Sequence, residues 1–319
     1  MIDLRSDTLT KPTRQMLAAM AAAEVGDEQY REDPTVNALQ HRMAELLGHE
    51  AALFVPTATM ANQIALRAQT TPGSTLVAEE RTHVLVYEAG GPAIHSGLMT
   101  RSLHGDAGRL TPEQIEAEPD LGRGGIVVLE NTHRSSGGRV WPIDEFRAAV
   151  DAAHEKGAKL HLDGARLFNA AVAAAVAPSE WARHADSVTI CFSKGLGCPL
   201  GAVLASDAAT IERAWEGKFL FGGAMRQAGV IAAAGLYALD HHVDRLANDH
   251  ARARRIDPDA ETNFAVIEDA PGLQARLRER GLLVGNLRPG FLRAVTYLGV
   301  TDEDADAAAQ ILSDVHVHA

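Results

Sequence analysis

Short runs of apolar residues alternate along this chain with longer stretches whose apolar positions recur every three or four residues. Ala51-Ala52-Leu53-Phe54-Val55 reads as a short buried strand. Residues 56–67 follow with Ala, Met, Ile and Leu on one stripe, which predicts a helix. Strand-like runs recur at residues 75–78, 125–129, 159–162, 187–192 and 201–204. Residues 143–156 read as a helix, with Gly157 as its C-terminal stop. Short apolar strands separated by helices indicate a mainly parallel α/β sheet covered on both faces.

From about His241 the pattern changes. Charged, helical sequence runs to Arg255, and Asp257-Pro258-Asp259 breaks it. Residues 262–267, 282–284 and 291–297 are strand candidates; residues 271–281 and 302–312 are helix candidates. This predicts a large domain over residues 1–240, including an N-terminal arm, and a small α+β domain over residues 241–319. No repeat and no low-complexity segment is visible.

Composition narrows the function. The 319 residues are 46% hydrophobic and 23% charged, as in ordinary globular proteins, and a chain this long buries a large core. Lys+Arg 30 against Asp+Glu 42 gives −12. A nucleic-acid partner is not expected, because phosphate affinity needs a basic face. No run approaches the length of an uncharged apolar membrane span, and Met1 to Asp7 lack an apolar signal core. Cys191 and Cys198 cannot form a disulfide framework or a four-thiolate zinc site. The expectation is a reduced, soluble, cytoplasmic protein.

In open α/β sheets, ligands bind beyond the carboxyl ends of strands. Four predicted strand ends carry polar residues. Asp163, in His161-Leu162-Asp163-Gly164-Ala165-Arg166, reads either as a helix N-cap or as a buried carboxylate for a protonated ring nitrogen, such as that of pyridoxal phosphate (PLP). Lys194 ends a strand and enters a Gly-rich turn. It reads either as a solvated lysine or as an amine desolvated for Schiff-base chemistry. The 31 positions from Asp163 to Lys194 fit one intervening helix and strand. Thr57-Ala58-Thr59 opens a helix after a strand, as an anion site or a plain cap. His83 suits stacking on an aromatic ring or proton transfer, though a lone histidine is more often structural. Ser6, His133, Arg226 and Arg293 lie in further polar blocks; an arginine in a cleft suits carboxylates and phosphates. His241, His242, His250, His316 and His318 lack a carboxylate or thiolate at ligand spacing, so no metal site is expected.

Taken in order, these blocks resemble the low-specificity L-threonine aldolases, which are fold-type-I PLP enzymes. The resemblance covers most of the chain. Its residues are Ile2-Asp3-Leu4-Arg5-Ser6-Asp7-Thr8, Val25-Gly26-Asp27, Tyr30, Asp33-Pro34-Thr35-Val36-Asn37 and residues 54–63. His83, residues 87–91, Glu130-Asn131-Thr132-His133 and Gly137-Gly138 follow, then residues 161–169, 193–201, Gly222-Gly223 and residues 225–229. The resemblance implies a seven-stranded, mainly parallel sheet in the large domain. It implies that Lys194 carries PLP as a Schiff base, that Asp163 meets the pyridine nitrogen and that His83 stacks on the ring. Thr57, Ala58 and Thr59 would cradle the phosphate, with Arg226 added from a neighbouring subunit. Arg166 would stand by the cofactor and, with Ser6 and Arg293, hold the substrate carboxylate. His83 is the leading base for the β-hydroxyl proton and His133 the alternative. The implied activity is an aldehyde-lyase reaction, retro-aldol cleavage of L-threonine or L-allo-threonine to glycine and acetaldehyde, in a homodimer or homotetramer with shared sites. The alternative is a PLP-dependent aldolase or lyase for another β-hydroxy-α-amino acid, phenylserine-like.

The chain departs from the family pattern at several places. Ala58 stands where the family has Gly, and Ala224 ends what is otherwise a run of three glycines. Lys218 lies one place early, with Phe219 in the usual lysine slot. The loop before Gly125 is short and lacks a His, and Tyr297 replaces another.

Overall fold

The computed structural model describes residues 1–317. His318 of the tail lies outside them. Five of the expected apolar runs become the centre of one sheet. Its strands are β2 (Ala51–Val55), β3 (Thr75–Glu79), β4 (Met99–Leu103), β5 (Ile126–Glu130), β6 (Lys159–Asp163), β7 (Ser187–Cys191) and β8 (Ala202–Ser206). The order is β2-β8-β7-β6-β5-β3-β4, seven strands with only β8 antiparallel to its neighbours. Strands β3, β5, β7 and β8 are buried along their whole length, as central strands covered by helices on both faces must be.

The strand the pattern did not reveal is β4. It carries Thr100, Arg101 and Ser102, four of its five residues are exposed, and its backbone pairs only with β3 at the sheet edge. A polar edge strand has no buried face and so no hydrophobic signature. The helix expected over residues 56–67 runs Ala58–Gln69, because Thr57 stays extended and accepts the Met60 N–H through Oγ1 at 3.1 Å. The helix Ile143–Glu155 ends as expected: Gly157 takes φ +74° in open space, a conformation that L side chains avoid.

A second sheet has the order β1-β10-β11-β9. It is formed by β1 (Ile2–Leu4), β9 (Phe264–Glu268), β10 (Leu282–Arg288) and β11 (Phe291–Val295). Strand β1 pairs in parallel with β10, Ile2 opposite Leu282, so the opening residues hydrogen-bond into the small sheet. Leu4, Leu277, Leu282, Leu292 and Ala308 form its core under the helices Leu273–Glu279 and Asp302–Val317. Strand β9 starts later than expected because Thr262 and Asn263 are spent elsewhere. Thr262 donates to Gly138 O at 2.8 Å and Asn263 to Asp7 Oδ2 at 3.2 Å. Strand β10 runs past Gly285-Asn286, where the apolar pattern breaks, through a register shift between Asn286 and Arg288.

Candidate active site

The carboxyl ends of the large sheet converge. Asp163 is the last residue of β6 and is 1% exposed. Its Oδ1 accepts the Ala165 N–H at 3.1 Å, and its Oδ2 accepts Asn62 Nδ2 at 2.9 Å. Burial favours the neutral acid, but the charges of His83 and Lys194 outweigh it, and the pKa lies below the ordinary carboxylate value. Asp163 is therefore a fixed buried anion. Lys194 follows β7 and is half-buried, in a turn that Gly197 closes at φ +79°. Its amine has no hydrogen bond or ion pair within the chain among the described residues.

His83 opens a short helix after β3. Its N–H donates to Glu130 Oε2 at 2.7 Å, and its Nδ1 lies 2.9 Å from Glu88 Oε1. Burial lowers its pKa, but Glu88, Asp163 and Glu130 more than compensate, leaving it above the usual histidine value. The His83 ring retains an accessible face, and the Tyr87 ring centroid is 5.4 Å away. The ligating atoms of His83, Glu88 and Asp163 lie within 4.8 Å of one another. That spacing would also suit a cation, but Asn62 occupies it by donating to both carboxylates.

Thr57 and Thr59 are exposed at the N-terminus of the 12-residue helix Ala58–Gln69, whose first amides lack intrahelical partners. With Met60, Gln63, His95 and Phe221 they border a pocket of about 550 Å³.

The arginines divide sharply. Arg166 is buried, and its Nε and Nη2 bind Asp7 Oδ2 and Oδ1, each at 2.7 Å. Burial raises the Asp7 pKa and Arg166 lowers it more, to about 2. Asp7 thus fills the Nε–Nη2 edge of the Arg166 guanidinium. Arg293, on β11, is 8% exposed, and its Nε and Nη1 are buried without a partner. Burial, with the charges of Arg134 and Arg166, pulls its pKa down to about 10. Ser6 caps the turn after β1, its Oγ accepting the Thr8 N–H at 3.2 Å.

His133 is fully buried. Its Nδ1 lies 2.8 Å from Ser136 Oγ, its Nε2 3.1 Å from Glu79 Oε2, and Gly108 packs directly on the ring. The ring therefore faces Glu79 and Ser136 inside the fold, and its Nε2 is buried. Arg226 is exposed, with Nη1 donating to Met225 O at 3.1 Å and Nε 4.0 Å from Asp27. Lys218 is buried in an ion pair with Glu28 and donates to Phe54 O at 2.7 Å, which makes it a strut. Tyr297 donates to Asp3 O at 3.0 Å and ties β1 to the small sheet.

Sequence reasoning placed Asp7, Asn62, Glu88 and Glu130 in candidate blocks but gave none of them a role. Asn62 carried a signal: it is a polar residue on the apolar stripe of a helix. The other three became legible only when distant strands met.

The arrangement fits PLP. It offers a buried anion for the ring nitrogen, an unpaired lysine beside it, a histidine face, a helix N-terminus for a phosphate and an open guanidinium for a carboxylate. Residues 3–278 match the beta-eliminating lyase family. A low-specificity L-threonine aldolase of Escherichia coli K12 is 41% identical, covering 97% of this chain and 98% of that protein. Low-specificity L-threonine aldolase 1 of Arabidopsis thaliana is 37% identical over 95% and 93%. The solved threonine aldolase of Leishmania major superposes with a TM-score of 0.84 at 19% identity, covering 99% of each chain. This chain belongs to the beta-eliminating lyase family, alongside the low-specificity L-threonine aldolases.

Proposed function

We propose that the protein uses PLP to cleave L-threonine or L-allo-threonine into glycine and acetaldehyde. The observation that carries this reading is the meeting of Asp163 and Lys194 with the open guanidinium of Arg293. PLP, when bound, supplies the electron sink that accepts the pair from the broken Cα–Cβ bond. Lys194 Nζ would hold the cofactor at the mouth of the cleft. Asp163 would meet the ring nitrogen with its negative charge. Arg293 would grip the substrate carboxylate and so orient the bonds at Cα. His83, with Nδ1 held by Glu88, takes the β-hydroxyl proton at Nε2. Thr57 and Thr59 receive the phosphate at their helix N-terminus.

A second reading rests on Tyr87, whose 43%-exposed ring lies beside His83 under the Arg134 guanidinium at 4.1 Å. An aromatic β-substituent, as in phenylserine, would stack there. We also place a second copy against the apolar surface around Tyr30, Ile94, Phe219 and Leu220, which is exposed in one chain. That copy would bring Arg226 to the phosphate. The two buried free thiols suit a reducing cytoplasm. Among the described residues, no helix is long and apolar enough to cross a membrane.

The test is aldehyde release by the purified protein supplied with PLP. Acetaldehyde with matching glycine from either threonine diastereomer is the expected result. Benzaldehyde from phenylserine alone would favour the second reading, and no aldehyde from any of them would overturn both.

A further inference from the structure

A line of buried polar side chains leads from Asp163 away from the cleft. Asn62, on the helix Ala58–Gln69, is 1% exposed and donates its amide to Asp163 Oδ2 and Glu88 Oε1, each at 2.9 Å. Its Oδ1 lies 3.0 Å from His161 Nε2. His161, on β6, is fully buried, and its Nδ1 lies 2.7 Å from Ser187 Oγ on β7. Ser187 Oγ in turn accepts Gln69 Nε2 at 2.7 Å.

The chemistry of the two ends fixes every proton in this line. Carboxylates only accept, so Asn62 must turn its NH2 toward Asp163 and Glu88 and its oxygen toward His161. An amide oxygen only accepts, so His161 Nε2 must carry the proton. Its Nδ1 is then an acceptor and takes the one hydroxyl proton of Ser187, whose oxygen is left to receive the Gln69 amide. In the neutral ring each donor has an acceptor, with Thr189 Oγ1 a further 3.5 Å neighbour of Nε2, and the other neutral tautomer would set two acceptors face to face at Asn62 Oδ1. Burial also pushes the His161 pKa down to about 4, which keeps the ring neutral.

We propose that Asn62 and His161 are positioning residues for the PLP-dependent reaction: the neutral Nε2–H tautomer of His161 locks the Asn62 amide so that it holds Asp163 ionised and aimed at the cofactor nitrogen. This rests on the reading of Asp163 given above. Without His161, the Asn62 oxygen loses its donor, the amide is free to flip, and an oxygen then faces two carboxylates. Asp163 would answer by taking a proton or turning away. Neither residue touches the ring; both act through Asp163.

Two measurements test this. The first needs no cofactor: the nitrogen chemical shifts of His161 in the apoprotein at neutral pH should show a protonated Nε2 and an unprotonated Nδ1. A protonated Nδ1, or a doubly protonated ring, would overturn the proposal. The second is a double-mutant cycle on the PLP dissociation constant, read by absorbance and fluorescence. His161→Phe should weaken PLP about tenfold, the usual order for a group that orients a direct ligand. In an Asp163→Asn background the same change should matter less than about twofold, since the partner it acts through is gone. His161→Gln, which keeps a donor for Asn62 Oδ1, should restore most of the loss. Equal losses in both backgrounds would mean a merely structural role and would overturn the proposal alone. Undiminished PLP affinity in Asp163→Asn itself would overturn the reading of Asp163 and this proposal with it. If His161→Phe fails to fold, Ser187→Ala is put through the same cycle with the same expected outcomes.

Discussion

The two ends of the cleft are built on opposite plans. At the Asp163 end, each carboxylate oxygen has a donor, and the side-chain donor, Asn62, is itself held by His161. At the Arg293 end, two guanidinium nitrogens are buried with nothing to bind. Arg166 sharpens the contrast, because both arginines lie over the same Phe264 ring, at 4.9 and 5.4 Å, yet only Arg166 is answered by an acid. A charge that must stand ready before a ligand arrives is completed from within the chain. On the proposed reading, the charge that is to receive a ligand is left incomplete, at a cost in stability that binding would recover.

Four experiments would break or sharpen this comparison. Lys194→Ala should show the largest effect, with aldehyde release falling by about 10⁴-fold or more, because the covalent anchor has no substitute at that strand end. Comparable turnover in the variant would remove Lys194 from the chemistry. Next is the pair of arginines. Arg166→Met strands the buried Asp7 and should cost about 3–5 kcal/mol in denaturant unfolding. Arg293→Met removes an unpaired buried charge and should leave stability within about 1 kcal/mol, or raise it. The reverse order would invert the account.

Acid should loosen the Asp7 end in a defined window. Asp7 has a folded pKa of about 2, below its unfolded value of 3.8, so its contribution is fully present above about pH 4 and is lost as the pH falls toward 2. At about 1.4 kcal/mol per unit, the loss is about 2 kcal/mol, and it should be absent in Arg166→Met. An identical acid limb in that variant would assign the loss to other groups. The smallest effect is expected from Tyr297→Phe. It deletes the bond to Asp3 O and should cost about 1 kcal/mol in thermal or denaturant unfolding without altering turnover.

Much of the frame was legible before the structure. Buried parallel strands such as β5 are nearly unbroken apolar runs, and the ends of β6 and β7 point to Asp163 and Lys194. Strand β4 escaped because an edge strand with exposed Thr100, Arg101 and Ser102 has no apolar face. Strand β1 escaped because three residues carry no period, and its partner β10 lies at the far end of the chain. The site was legible where one motif held the residue and illegible where two distant segments had to meet. Nothing local says that Asp7 will fill the fork of Arg166, 159 positions away. Nor does Glu130-Asn131-Thr132-His133 announce that His133 turns inward to Glu79 while Glu130 supports His83.

The central claim is that the open guanidinium of Arg293 receives the substrate carboxylate. It is tested most directly by titrating the PLP-loaded protein with glycine and with methylamine, which lacks the carboxylate, and following the cofactor absorbance. The unsubstituted protein should prefer glycine by about 100-fold or more, the order of one buried charge pair, and Arg293→Met should lose that preference. A preference for glycine that survives intact in Arg293→Met would contradict the account.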